Sequence, residues 1–114
     1  MAFVNWLGGG ANNGLAGTGI SAAGTTQGTA TTLFAQENEV TTVASGAGVI
    51  INPLFAPGEA MSVLNLGANA LMVYPPSGMK INALPTNQGM QLGLNTAVMF
   101  RCISTTRIAG FLSA

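Results

Sequence analysis

The stretch from Met61 to Gly78 reads MSVLNLGANALMVYPPSG and contains the clearest strand signals in the chain. Two runs rich in apolar and β-branched residues, Met61–Leu66 and Leu71–Tyr74, are separated by Gly67-Ala68-Asn69 and followed by two prolines. Glycine and asparagine tolerate the positive φ angles of tight turns, and proline cannot donate a hydrogen bond within a sheet. The stretch therefore predicts two strands joined by a hairpin turn.

The same succession of short apolar runs and turn residues continues on both sides of this stretch. The further predicted strands are Thr31–Ala35, Glu39–Ala44, Gly48–Asn52, Met90–Leu94, Ala97–Ser104 and Arg107–Leu112. Turn signals recur about every ten residues, and no long segment has the 3.6-residue period of an amphipathic helix. The sequence predicts an all-β fold, either a small antiparallel sandwich of the jelly-roll type or a barrel.

Residues 1–30 differ from the rest in composition, because small residues dominate and no residue is charged. Eight glycines interrupt any regular hydrophobic period. The isolated apolar residues are Phe3, Trp6, Leu7, Leu15 and Ile20. We interpret this segment as an extended Gly/Ala/Thr-rich arm that orders on a partner through these anchors, and residues 31–114 as a β-sandwich domain that folds without it. A passive linker or tail is the alternative.

Charged side chains are scarce: the 114 residues include three Glu, three Lys or Arg, and no Asp or His. General acid–base catalysis and metal binding depend on such side chains, so we expect no enzyme, no catalytic residue, no cofactor and no metal site. Three cations are too few for a nucleic-acid surface, and no apolar run approaches the roughly 20 residues of a membrane span. A surface with so little charge is typical of a subunit covered by other proteins.

The strand Ala97–Ser104 is apolar on both faces, which predicts that protein covers both of them. Val98, Phe100 and Cys102 alternate with a second face that contains Arg101. Cys102, the single cysteine, is expected to be a small buried apolar residue.

Arg101 is a candidate for an interface or an ion pair, since a guanidinium among apolar neighbours usually contacts a carboxylate. The chain offers Glu37, Glu39 and Glu59 as partners. Glu37 and Glu39 are two residues apart, so a strand would place both on one face. The alternatives left open are a solvated Arg101 at a strand edge, and a charged strand edge that discourages wrong pairing.

The run from Val63 to Asn82 resembles a pattern of small virion proteins of tailed bacteriophages. In that pattern a strand ending in Asn leads through Gly-Ala-Asn-Ala to a strand ending in Tyr-Pro, followed by a Gly turn and Ile-Asn. The resemblance extends from about Val49 to the closing Phe111-Leu112-Ser113-Ala114 and excludes the N-terminal arm.

The resemblance implies a capsid cement or decoration protein that binds the major capsid protein and stabilises the shell as a homo-oligomer, with a trimer expected. It further implies synthesis in the host cytoplasm and a final location on the capsid surface. A tail or fibre module that contacts a host receptor is the alternative.

Overall fold

The computed structural model of the chain describes residues 15–113, which form ten strands and no helix. The strands are β1 (Ala16–Ala22), β2 (Thr31–Thr32), β3 (Glu37–Val43), β4 (Gly48–Ile50), β5 (Ala60–Asn65), β6 (Leu71–Tyr74), β7 (Lys80–Ile81), β8 (Met90–Leu92), β9 (Thr96–Cys102) and β10 (Arg107–Leu112). The predicted all-β class is confirmed, and each of the eight predicted strands overlaps an observed one.

The strands form two sheets, sheet A in the order β1-β3-β5-β9-β10-β7 and sheet B in the order β2-β4-β6-β8. From β1 to β6, successive strands alternate between the two sheets, and neighbours within each sheet are parallel. The chain therefore winds through three stacked coils, β1-β2, β3-β4 and β5-β6, in a solenoid-like arrangement. The prediction of an antiparallel sandwich or barrel was wrong, because five of the eight described strand pairs are parallel.

The last strands reverse direction and extend both sheets beyond the third coil. β8 is antiparallel to β6, β9 to β5, and β10 to β9. The two-residue strand β7 lies at the far edge of sheet A, parallel to β10. The first coil and these reversed strands thus occupy opposite ends of the fold.

The connection between β5 and β6 is a corner between the two sheets, so the predicted hairpin turn was wrong. Gly67 does not adopt a positive φ; it allows close approach, because a Cβ there would lie 2.8 Å from Cβ of Val43 in the preceding coil. The side-chain amide of Asn69 donates to the Val43 carbonyl oxygen at 2.8 Å. Gly67 and Asn69 therefore pack the corner between β5 and β6 against the preceding coil. Glycine and asparagine are also common in hairpin turns, so the sequence alone does not distinguish a corner from a hairpin.

The core lies between the two sheets and is built by strict alternation along the strands. In β9, Val98, Phe100 and Cys102 are buried, as predicted, while Met99 and Arg101 on the other face are exposed. β5 alternates in the same way, with Met61 and Val63 among its inward residues. Sheet A therefore has one face in the core and one face uncovered in the described part of the chain.

β1 lies inside the segment predicted to be an arm. It pairs with β3, its Ala22 is buried, and Ile20 packs against the core of the same chain. Gly19 has a φ of 66°, next to irregularities in the β1–β3 register. The fold therefore begins well before the predicted boundary at residue 30.

Candidate interaction surfaces

The outer face of sheet A carries five of the six charged residues of the chain. They are Glu37 and Glu39 on β3, Lys80 on β7, Arg101 on β9 and Arg107 on β10. Each neighbours a buried, inward-pointing residue along its strand, so all five point away from the core. We call this surface the charged face.

The negatively charged residues and the positively charged residues lie at diagonally opposite corners of the charged face. Strand register places Glu37 in a row with Ser62, Met99 and Phe111. Arg101 lies one outward-facing position along β9 from Met99, opposite Ala60 and Ala109. Arg107 lies further along in the same direction, opposite Lys80. We call Glu37 and Glu39 the acidic corner, and Lys80, Arg101 and Arg107 the basic corner.

Small and apolar residues lie between the two corners. Met99 and Phe111 are both 53% exposed. They border a shallow groove of about 320 Å³, whose other lining residues are Ser62, Ala97, Val98, Leu112 and Ser113. Apolar surface of this kind usually marks contact with another protein.

The proposed ion pair of Arg101 with a carboxylate is not formed in the described part of the chain. Glu37 instead accepts a hydrogen bond from the Ser62 hydroxyl at 2.6 Å, and Glu59 accepts one from the Ala56 backbone N–H at 2.8 Å. Arg101 is separated from β3 by β5, which is two strand spacings or about 10 Å. Glu37 and Glu39 do share one face, as their spacing indicates.

A second surface lies at the end of the fold formed by the first coil. It is a groove of about 520 Å³ between residues 15–21 and residues 31–35, with Asn38 at its side. Leu15 and Phe34 border it and are 56% and 64% exposed. β1 has a hydrogen-bonded neighbour on one side only within the described residues, so this end combines apolar surface with a strand edge. We call it the first-coil groove.

The five predicted arm anchors fall into three groups. Phe3, Trp6 and Leu7 lie outside the described residues. Ile20 packs against the core of its own chain, so it serves the fold rather than a neighbour. Leu15 stays exposed at the first-coil groove, where a partner could contact it.

Cys102 is buried and is the only cysteine, as the sequence indicated. Burial raises the pKa of its thiol, and the nearby Glu59 carboxylate raises it further. A thiol with a raised pKa is protonated at neutral pH and is a poor nucleophile. Its surroundings therefore suit packing.

Two further properties of residues 15–113 bear on possible partners. No three His, Cys, Asp or Glu side chains lie close enough together to hold a metal ion. None of these residues belongs to a helix long and apolar enough to cross a membrane.

Comparisons with family models, with characterised proteins and with solved structures find no match to this chain.

Proposed function

We propose that the chain is a structural protein of a tailed-bacteriophage virion, of the capsid cement or decoration type. It binds the major capsid protein on the outer surface of the shell, as a homo-oligomer for which the resemblance implies a trimer. The proposal involves no catalytic step, no cofactor and no nucleic acid. It rests on the resemblance of Val63–Asn82 together with the character of the protein surface.

The observation that supports it best is the amount of large apolar side chain left uncovered. Nine such residues are exposed in the described part of the chain, against six charges in the whole sequence. Single exposed apolar residues are ordinary, but five of these nine border two separate grooves, and few charges are present to keep the protein soluble. A subunit whose surfaces are covered in an assembly accounts for this pattern.

The first-coil groove is the surface that best suits a shell protein. Leu15 and Phe34 offer apolar contact, and the edge of β1 offers backbone groups to an added strand. Strand addition gains affinity from main-chain hydrogen bonds and specificity from side-chain pockets. Neither contribution needs charge, which agrees with a groove that carries none.

Cryo-electron microscopy of virions purified from host cells that produce this protein tests the proposal. We expect density for the β domain at regular positions on the outer surface of the capsid. Density confined to the tail or its fibres would instead favour receptor contact, and mass spectrometry that finds no copies in purified particles would contradict both assignments.

Replacing Leu15 and Phe34 together by serine is expected to weaken shell binding by about tenfold or more, because buried apolar anchors carry most of the energy of an interface. The free energy of unfolding should change little, since both side chains are largely exposed. Co-sedimentation with shells that lack the protein measures the binding.

The matched control replaces Leu54 and Leu94 by serine. These residues are also exposed but lie outside both grooves. Equal losses in the two double variants would show that the first-coil groove is not the contact surface.

A further inference from the structure

The grouping of charge on one face of sheet A is the least expected property of this surface. A soluble protein with a charged surface normally intersperses both signs over the whole molecule. Here one face holds five of six charges, and its signs are separated into two corners. A solvated face does not require that separation, whereas a contact between complementary surfaces does.

Among the described residues, none of these five charges forms an ion pair, and the only hydrogen bond that the structure gives their side chains is that of Glu37 with Ser62. β5 lies between the acidic corner and β9, and it contributes uncharged side chains such as Ser62 and Leu64. The nearest opposite charges, Glu37 and Arg101, are two strand spacings or about 10 Å apart across the sheet, which already exceeds the roughly 8 Å Debye length at physiological ionic strength. Attraction across the face within one molecule is therefore weak.

The Ser62 hydroxyl holds one carboxylate oxygen of Glu37 at 2.6 Å. This hydrogen bond fixes the Glu37 side chain over β5, so less side-chain entropy is lost when a partner binds it. Arg101 and Arg107 are exposed on the opposite side of the apolar centre. An arginine there can accept a carboxylate from outside the molecule in a bidentate contact.

We propose that the charged face is where copies of this chain contact one another, with the acidic corner of one copy against the basic corner of the next. Met99 and Phe111 lie between the corners and are covered in the same contact. Because both corners and the apolar centre belong to one face, a two-fold axis through that centre places each acidic corner against the partner's basic corner, so the contact is isologous and joins two copies. This pairing does not rest on the proposed function, and the trimer expected there would need a second contact elsewhere on the chain.

This arrangement gives the two surfaces different roles. The charged face joins copies to each other, and the first-coil groove remains free for the shell protein. β1 carries no charge, but it pairs with β3, where Ala16 lies opposite Glu37, so the first-coil groove is next to the acidic corner and distant from the basic corner. Variants of Arg101 and Arg107, which lie on strands well away from β1, should leave shell binding intact.

Charge reversal of each corner tests the proposal. One variant combines Glu37→Lys with Glu39→Lys, and the other combines Arg101→Glu with Arg107→Glu. Each is expected to weaken self-association by about tenfold or more, because reversal replaces several attractive pairs by repulsive ones. Sedimentation equilibrium of the full chain measures the association, and circular dichroism verifies that each variant is folded.

The salt dependence of self-association distinguishes the loss of a charged contact from a defect in folding. Added salt should weaken association of the unaltered chain and strengthen that of either variant, because it screens attraction in the first case and repulsion in the second. A control variant with Ser45→Lys and Gln88→Lys adds charge at exposed positions away from sheet A and should associate as the unaltered chain does.

Mixing the two charge-reversed variants tests whether the charged face is the contact, independently of the number of copies in the assembly. The opposite charges should bind each other and restore contact in the mixture. A two-fold contact joins two copies, so we expect the mixture to form pairs that contain one copy of each variant. If the unaltered chain forms pairs that the mixture restores fully, the charged face is the contact but the trimer is wrong. If both variants associate as strongly as the unaltered chain, the inference itself is wrong.

Discussion

Replacing the buried Asn65 by alanine is expected to lower the free energy of unfolding by about 3–5 kcal/mol. The side chain is fully buried at the end of β5. Its amide nitrogen donates to the carbonyl oxygens of Asn69 at 2.9 Å and Leu92 at 3.0 Å, and its carbonyl oxygen accepts from the Gly67 backbone N–H at 2.9 Å. Alanine would leave these backbone groups without a partner and create a small cavity. Urea denaturation followed by circular dichroism measures the effect.

Two further variants make this expectation specific to the hydrogen bonds. Asn65→Asp keeps the size of the side chain but places carboxylate oxygens against carbonyl oxygens, so we expect a loss at least as large as that of Asn65→Ala at neutral pH. Asn69→Ala removes the single side-chain bond to the Val43 carbonyl oxygen and should cost only about 1 kcal/mol. Similar losses for Asn65→Ala and Asn69→Ala would show that the buried network contributes little.

The strands were predictable because alternation is a local signal. The buried face of β9, formed by Val98, Phe100 and Cys102, was predicted correctly from the period-two pattern alone. The pairing of the strands was not, because a short Gly- and Asn-containing connection fits both a hairpin and a corner between sheets. Gly67 illustrates this ambiguity, since it lies against Val43 of the neighbouring coil and has no positive φ.

β1 escaped prediction for a different reason. Its sequence, AGTGISA, has low intrinsic preference for strand, and the register is irregular around Ile20. What stabilises it is non-local pairing with β3 and the covering of the core, neither of which appears in a short window of sequence.

The charged face could be predicted only in part. The spacing of Glu37 and Glu39 placed both on one side of a strand, and Arg101 was assigned to the second face of β9. Their grouping with Lys80 and Arg107 depends on strand order, because β7 lies beside β10 although 25 residues separate Ile81 from Arg107 in the chain. The presence of five charged residues on one face therefore results from the order of the strands in sheet A.

Deleting residues 1–30 is expected to abolish cooperative folding, contrary to what the composition of that segment suggests. The deletion removes β1, which pairs with β3, and exposes the core residues Val40 and Leu33. It also removes Gln27, whose amide donates to the Pro75 carbonyl oxygen at 2.9 Å. Exposing several buried apolar side chains costs about 1.5–3 kcal/mol each, which is comparable to the roughly 5–15 kcal/mol total stability of a domain. Thermal melting followed by circular dichroism and size-exclusion chromatography measures the outcome.

Deleting residues 1–14 is the matched control, because it leaves every described strand in place. We expect this shorter deletion to retain a cooperative transition within a few degrees of the full chain. The longer deletion also leaves β3 as the new edge of sheet A, a seven-residue strand with unpaired backbone groups, so aggregation should accompany its unfolding. A soluble 31–114 fragment with the melting transition of the full chain would place the boundary of the fold at residue 30 and show that β1 is an accessory strand.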